Sequence, residues 1–259
     1  MRIVWQSFID PAQHTDYFDL LGDQLQRAAG PDTTYEVIGM TPPDTHLHRL
    51  TETRCAAQAI TNAIQAEQQQ ADAFVIGHFQ DSGLHEARSA VDIPVLGLGE
   101  TSMLHACTLG HLIGLVTIHP IFIPWHREHI TRYGLSTRVI GVTALTGLTV
   151  ADYAKACADE NAFASVLDQF TRAAQPLLDA GAEVLIPAGG LPALVLSRKP
   201  DITIEGAVIL NGVPVLAKHA EAAVQLKQLG IPTASRRSTF ALPSDECRKE
   251  FTSALARSA

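Results

Sequence analysis

Short apolar, β-branched runs alternate along this chain with longer segments of mixed apolar and polar residues. The runs fall at residues 3–8, 35–38, 73–76, 95–98, 112–118, 138–142, 183–186 and 207–210. Between them, positions 16–29, 51–68, 100–109, 125–133, 162–180 and 215–229 carry helix-like patterns. Strands that alternate with helices of this length predict βαβ units, a parallel sheet and helices on both faces. The expected class is doubly wound α/β. The polar tail beyond Arg236 is expected to form a last helix against the first half of the chain.

Two segments share a further pattern. Gly77-His78 and Ala188-Gly189 each follow an apolar strand and precede a helix, about a hundred residues apart. In open parallel sheets ligands bind beyond the carboxyl ends of the strands, so both loops belong on a functional rim. This spacing predicts two similar flavodoxin-like half-domains, 1–97 plus 214–259 and 98–213, with a cleft between them.

Composition narrows the function. Acidic residues outnumber basic ones 27 to 19, for a formal charge of −8, and no stretch is strongly basic, so a nucleic-acid partner is not expected. The apolar stretch at 112–125 is interrupted by His119, Pro120 and Pro124 and is too short to span a bilayer. The N-terminus lacks signal-peptide architecture, and Cys55, Cys107, Cys157 and Cys247 are dispersed; reduced thiols and a cytoplasmic location are expected. No GxGxxG, P-loop lysine or GxSxG elbow is present, so no nucleotide cofactor is implied and a serine hydrolase is not expected. Seven of the 11 histidines lie between His78 and His129. Neither His126/His129 nor His46/His48 brings a third ligand at an interpretable spacing, so no metal is assigned.

At the rim, His78 is the candidate general base, because imidazole exchanges protons near neutral pH. Asp81 and Ser82 are expected to cap the helix that opens near Gly83. Gly189 and Gly190 can offer backbone N–H groups to an oxyanion. Gln6, Ser7 and Thr117 sit at strand ends where they can meet a carboxylate or ring carbonyl, and Glu100 is placed to orient His78 or His119.

The segment Gly77-His78-Phe79-Gln80-Asp81-Ser82-Gly83-Leu84 resembles the cysteine–Phe–x–Asp–Pro–Gly–Leu loop of the aspartate/glutamate/hydantoin racemase superfamily, in its hydantoin racemase branch. His78 stands at the cysteine and Ser82 at the proline. Pro94 to Glu100 is similar to the family's next strand, Thr117 matches one residue of a Thr-Thr ligand loop, and Gly189 stands at the second cysteine. Asn211 occupies an Asp position in a Val-Asp-Gly-Val segment. The likeness runs from the first strand to the helix near Leu229. It implies a cofactor-independent homo-oligomeric enzyme acting on a small carboxylate or cyclic amide. His78, His119 and Gly189 would be its catalytic positions. Gln6, Ser7, Gly77, Phe79, Asp81, Ser82, Gly83, Thr117, Gly190 and Asn211 would contact substrate.

Racemisation without a cofactor needs a proton carrier on each face of a planar intermediate, and Gly189 has no side chain to serve. One-base chemistry by His78 is therefore expected: decarboxylation, isomerisation, elimination or ring hydrolysis. The alternatives are a racemase or epimerase using a His78–His119 pair, and a catalytically silent ligand-binding protein.

Overall fold

The computed structural model describes residues 1–44 and 46–256. Four parallel strands, β1 (Arg2–Gln6), β2 (Thr34–Ile38), β3 (Ala73–Ile76) and β4 (Val95–Gly97), form one sheet in the order β2-β1-β3-β4. A second sheet has the order β6-β5-β7-β9-β8, from β5 (Ile113–Thr117), β6 (Val139–Ala144), β7 (Val184–Ala188), β8 (Thr203–Ile204) and β9 (Ala207–Ile209). The α/β class with parallel sheets is as expected. One edge differs: β8 pairs antiparallel with β9. Glu205 and Gly206 between them both have positive φ, 51° and 87°, the geometry of a two-residue hairpin turn.

The longer helices packed on the sheets bury an apolar stripe. Helix α1 (Thr15–Ala28) turns Leu21, Leu25 and Ala28 inward, and α2 (Arg49–Gln68) turns in Cys55, Ala59, Ala63 and Ile64. His48 caps α2 by accepting from the Leu50 N–H at 3.1 Å. Helices α3 (Leu84–Ala90), α4 (Leu98–Ala106), α5 (Phe122–Arg132), α6 (Val150–Ala156) and α7 (Glu160–Asp179) follow the intervening strands. Then come α8 (Gly190–Leu196), α9 (Gly212–Gln228) and α10 (Asp245–Ala256).

Successive strand residues point to opposite faces, and this sorts the first sheet's core. Val4, Phe74 and Ile76 pack under α2 and α3, whereas Ile3, Trp5, Ala73 and Val75 face α1 and α9. The latter group is continuous with Ile113, Leu115 and Ile186 of the second sheet, so one core ties the two sheets together. The tail behaves as expected: Phe251 of α10 packs on the α2/α3 side and Arg248 pairs with Glu67 at 2.8 Å. Among the described residues no helix is long and apolar enough to cross a membrane.

Candidate active site

The carboxyl ends of β1, β3, β5 and β7 open onto one cleft of about 330 Å³. Gly77, His78, Ile118, His119, Gly189 and Gly190 line it from these strand ends, as the rim argument expects. Phe8, Tyr17, Asp44, Leu47, Phe122 and Tyr153 complete much of the wall. The lining is mainly apolar, includes Asp44, and contains no lysine or arginine among the described residues.

His78 is held from several sides. Its neighbour Gly77 passes directly under Trp5, where a Cβ would lie 2.1 Å from the indole Nε1, so no other residue fits without displacing the ring. The imidazole stacks on Phe8, with centroids 4.3 Å apart and planes 11° from parallel. Its Nδ1 is shut off from solvent and points toward Glu52, 4.0 Å from Oε2. The ring's exposed remainder faces the cleft, where the side chain is 19 % accessible. Burial pushes His78 down to about 4, with the negative charge of Asp44 pulling the other way, so the imidazole is neutral at pH 7 and keeps a lone pair.

Behind the ring, Asp44 comes from the segment between β2 and α2, and Glu52 from the first turn of α2. Desolvation raises both carboxyls above their ordinary range; the Ser82 hydroxyl, which donates to Glu52 Oε2, opposes the rise there. Neither acid was visible as a site residue in the sequence. Asp44 is separated from His78 by 34 positions and Glu52 by 26, and only the fold unites them.

The other rim candidates are mostly committed to the interior. Gln6 donates to the carbonyls of Ser7 and Gly39 and accepts from Asn62. Ser7 is fully buried, with the Tyr17 hydroxyl as its neighbour. Phe79 is a core residue with its ring 5.3 Å from His126. Asn211 caps α9 through the Val213 N–H at 3.1 Å and reaches Gln24 with its amide. None of these four lines the cleft.

The capping expectation fails in an instructive way. Gly83, with φ of 81°, occupies the N-cap of α3 without any side-chain cap. A Cβ there would come within 2.9 Å of the Ala56 carbonyl. Asp81 caps a different helix: Oδ1 accepts from the Gly99 N–H at 2.9 Å, and Oδ2 from the Glu100 N–H at 2.6 Å and the Tyr133 hydroxyl at 2.8 Å. This cap makes α4 begin at Leu98 instead of Glu100. Ser82 locks Glu52 instead of capping anything. Glu100 is paired with Arg88 at 2.6 Å, so it does not orient a histidine.

Thr117 and His126 form a second buried unit. The Thr117 hydroxyl donates to the Ala188 carbonyl at 3.2 Å, so it accepts from His126 Nε2, 3.0 Å away. His126 is thus the Nε2–H tautomer, and its buried Nδ1 has no partner. The unit braces the ends of β5 and β7 just before Gly189. His119 is exposed, and its Nδ1 accepts from the Ile121 N–H at 3.2 Å. Gly189 has an extended φ of 169°, and its N–H donates to the Pro187 carbonyl at 2.9 Å; that N–H is not free for an oxyanion.

Comparison with known proteins places the chain. The Asp/Glu/Hydantoin racemase family model matches residues 8–225. The chain belongs to that family. It is similar to the hydantoin racemase of Pseudomonas sp. (strain NS671), 29 % identical over 191 residues that cover 74 % of this chain and 71 % of that protein. The hydantoin racemase of Rhizobium meliloti is 28 % identical over 188 residues, 69 % of each. In fold, this racemase-family chain is similar to an allantoin racemase from Klebsiella pneumoniae, with a TM-score of 0.77 at 23 % identity, covering 95 % and 94 % of the two chains. A glutamate racemase from Bacillus anthracis gives a TM-score of 0.64 at 18 % identity, over 90 % and 83 %.

Proposed function

We propose that this member of the racemase family moves a proton at the acidic ring carbon of a small neutral cyclic amide of the hydantoin class, with His78 as its single base. The observation that carries the reading is the setting of His78. Its ring sits at the strand end, open to the cleft on one side and backed by Glu52 and Asp44 on the other. An Nδ1–H turned toward the carboxylates leaves the other ring nitrogen free to accept a proton, and the nearby negative charge stabilises the imidazolium that forms.

Two features favour a neutral ring over an amino acid. Among the described residues the cleft has an acidic residue and no lysine or arginine to balance a substrate carboxylate, and its wall is rich in apolar side chains suited to a ring substituent. Relatives described as hydantoin and allantoin racemases act on compounds of that class. With no side chain at Gly189, we expect proton exchange at the ring carbon to outrun inversion.

The test is proton NMR in D₂O on both enantiomers of several 5-substituted hydantoins, with the wild type and His78→Ala. Exchange in the wild type should fall by about 10²-fold or more in the variant. Equal rates in the two proteins would remove His78 from the chemistry. His119 lines the same cleft; if it supplies the opposite proton, His119→Ala should abolish exchange from one enantiomer while leaving the other.

A further inference from the structure

We propose that Asp44, Glu52 and Nδ1 of His78 form a binding site for one divalent first-row transition-metal cation, of the Zn²⁺ or Mn²⁺ kind, on the inner wall of the cleft. The three residues arrive from separate places in the fold, yet each offers a donor atom within 4.8 Å of the other two. The side chains of Glu52 and His78 are only 12 % and 19 % exposed. Three of the trio's polar atoms, Asp44 Oδ1, Glu52 Oε1 and His78 Nδ1, are closed to solvent and have no hydrogen-bond partner.

Buried polar atoms are nearly always satisfied, and buried carboxylates are paired or hold metals. The charge of Arg49 reaches Glu52, but among the described residues no lysine or arginine forms an ion pair with either acid. Arg49, three positions before Glu52, spends its guanidinium on both carboxylate oxygens of Glu128, at 2.6 and 2.8 Å. Among the described residues the cleft wall contributes no lysine or arginine. The carboxyls of Asp44 and Glu52 are hydrogen-bonded to each other, with the Thr51 hydroxyl also on Asp44, and the imidazole faces the pair; two acids and one imidazole so placed are a ligand set for a cation.

The donors select the class of ion. Calcium prefers six to eight oxygen ligands, and soft ions prefer thiolates, whereas one imidazole with two carboxylates suits zinc or manganese. Metal–ligand bonds of about 2.0–2.2 Å would bring the donors to roughly 3.3 Å apart. From the present spacing that is a contraction of about 1 Å, within reach of side-chain rotation. Three protein ligands leave one coordination position of a four-coordinate ion for water or another small ligand.

One consequence rests on the proposed function. A cation on Nδ1 obliges the ring to carry its proton on the other nitrogen, which then cannot accept one from a substrate. Metal binding and base catalysis by His78 are therefore mutually exclusive, and the cation acts as an inhibitor.

Isothermal titration of Zn²⁺ into protein stripped with EDTA and dialysed is the direct test, on the wild type, Glu52→Gln and Asp44→Asn. Far-UV circular dichroism of all three in EDTA serves as the control for folding. One site per chain, weakened at least tenfold in both folded variants, is the expected result. No stoichiometric site in the wild type, or one that neither variant weakens, overturns the proposal and assigns any zinc uptake to exposed histidines. Hydrogen–deuterium exchange of a hydantoin, followed with and without one equivalent of Zn²⁺, tests the consequence separately. Exchange that stops with zinc and returns with EDTA supports it; exchange that continues on the zinc-loaded protein overturns it without touching the site. A protein that binds zinc at these residues but never exchanges substrate in EDTA would sink the proposed function alone.

Discussion

Acid should destabilise this protein in a way that His126 makes measurable. The side chain is 1 % exposed, its Nε2–H is committed to Thr117 and its Nδ1 faces no acceptor. Burial holds it at about 3, with the neighbouring imidazoles His129 and His78 pushing the same way. The unfolded chain protonates near the ordinary 6.5. The native value is thus the lower one, so the contribution is fully present above pH 6.5 and is lost as pH falls toward 3.

Between pH 7.5 and pH 4.5 this one group should cost about 2.7 kcal/mol, from 1.36 kcal/mol per unit over the two units below 6.5. A native value one unit higher barely changes that figure, because pH 4.5 would still lie above it. In a chain of 259 residues, with an unfolding entropy of about 2.1 cal/mol/K per residue, the loss equals about 5 °C in Tm. His129 and His78, also held low by burial, add to the wild-type decline. His126→Gln isolates its own share, since glutamine can still donate to Thr117 but does not titrate. Urea unfolding followed by tryptophan fluorescence at both pH values gives the comparison. The wild type should be more stable than the variant at pH 7.5, and its advantage should shrink by about 2.7 kcal/mol at pH 4.5. An advantage unchanged to within about 0.5 kcal/mol would refute the argument.

Two further substitutions probe the loops. Asp81→Asn replaces a carboxyl whose oxygens accept from three buried or half-buried donors, which oppose the burial that pushes it up to about 7. The amide leaves one or two donors unmatched, at about 1–3 kcal/mol each, so Tm measured by calorimetry should fall by about 2–11 °C, and a shift under 1 °C would remove Asp81 as the cap of α4. Gly189→Cys should fold with a penalty of about 1–3 kcal/mol, because φ is extended but the added Cβ comes within 2.9 Å of the Ile118 Cγ2 methyl, which must shift, and touches Pro192 at 3.4 Å. A thiol at that position restores a second proton carrier, so polarimetry should show a hydantoin enantiomer losing rotation in the variant faster than in the wild type.

The parts of this molecule that were legible in the sequence are those written in local pattern. The runs at β3 and β7 are buried at every residue, which is why they read as continuous apolar strands. His78 and Gly189 could be placed at a cleft because strand and helix signals flank them directly. What stayed hidden depends on distant partners. The start of α4 is set by Asp81 from another loop, so an acidic first turn at Glu100 misplaced it by two residues. Hydrogen bonding absorbs Gln6 and Thr117 into the interior and commits Asn211 to the cap of α9, although their positions at strand ends put them near the rim. Asp44 and Glu52 carry no motif at all, and the two-residue strand β8 is too short to show a period.

Helix α9 covers the first sheet from the far end of the chain. Ile3, Trp5, Ala73 and Val75 rest against Val213, Leu216, Ala217 and Val224, although β4 is complete at Gly97. During synthesis that face waits for the cover of α9 until residue 228 emerges. At about 5–20 residues per second, the wait is roughly 7–26 s. The second sheet must be made, and its long-range strand pairs closed, while the first sheet is still half bare. Order of synthesis and order of burial therefore diverge in this fold, and the nascent chain depends on an early hydrophobic surface staying unclaimed until its own last third arrives.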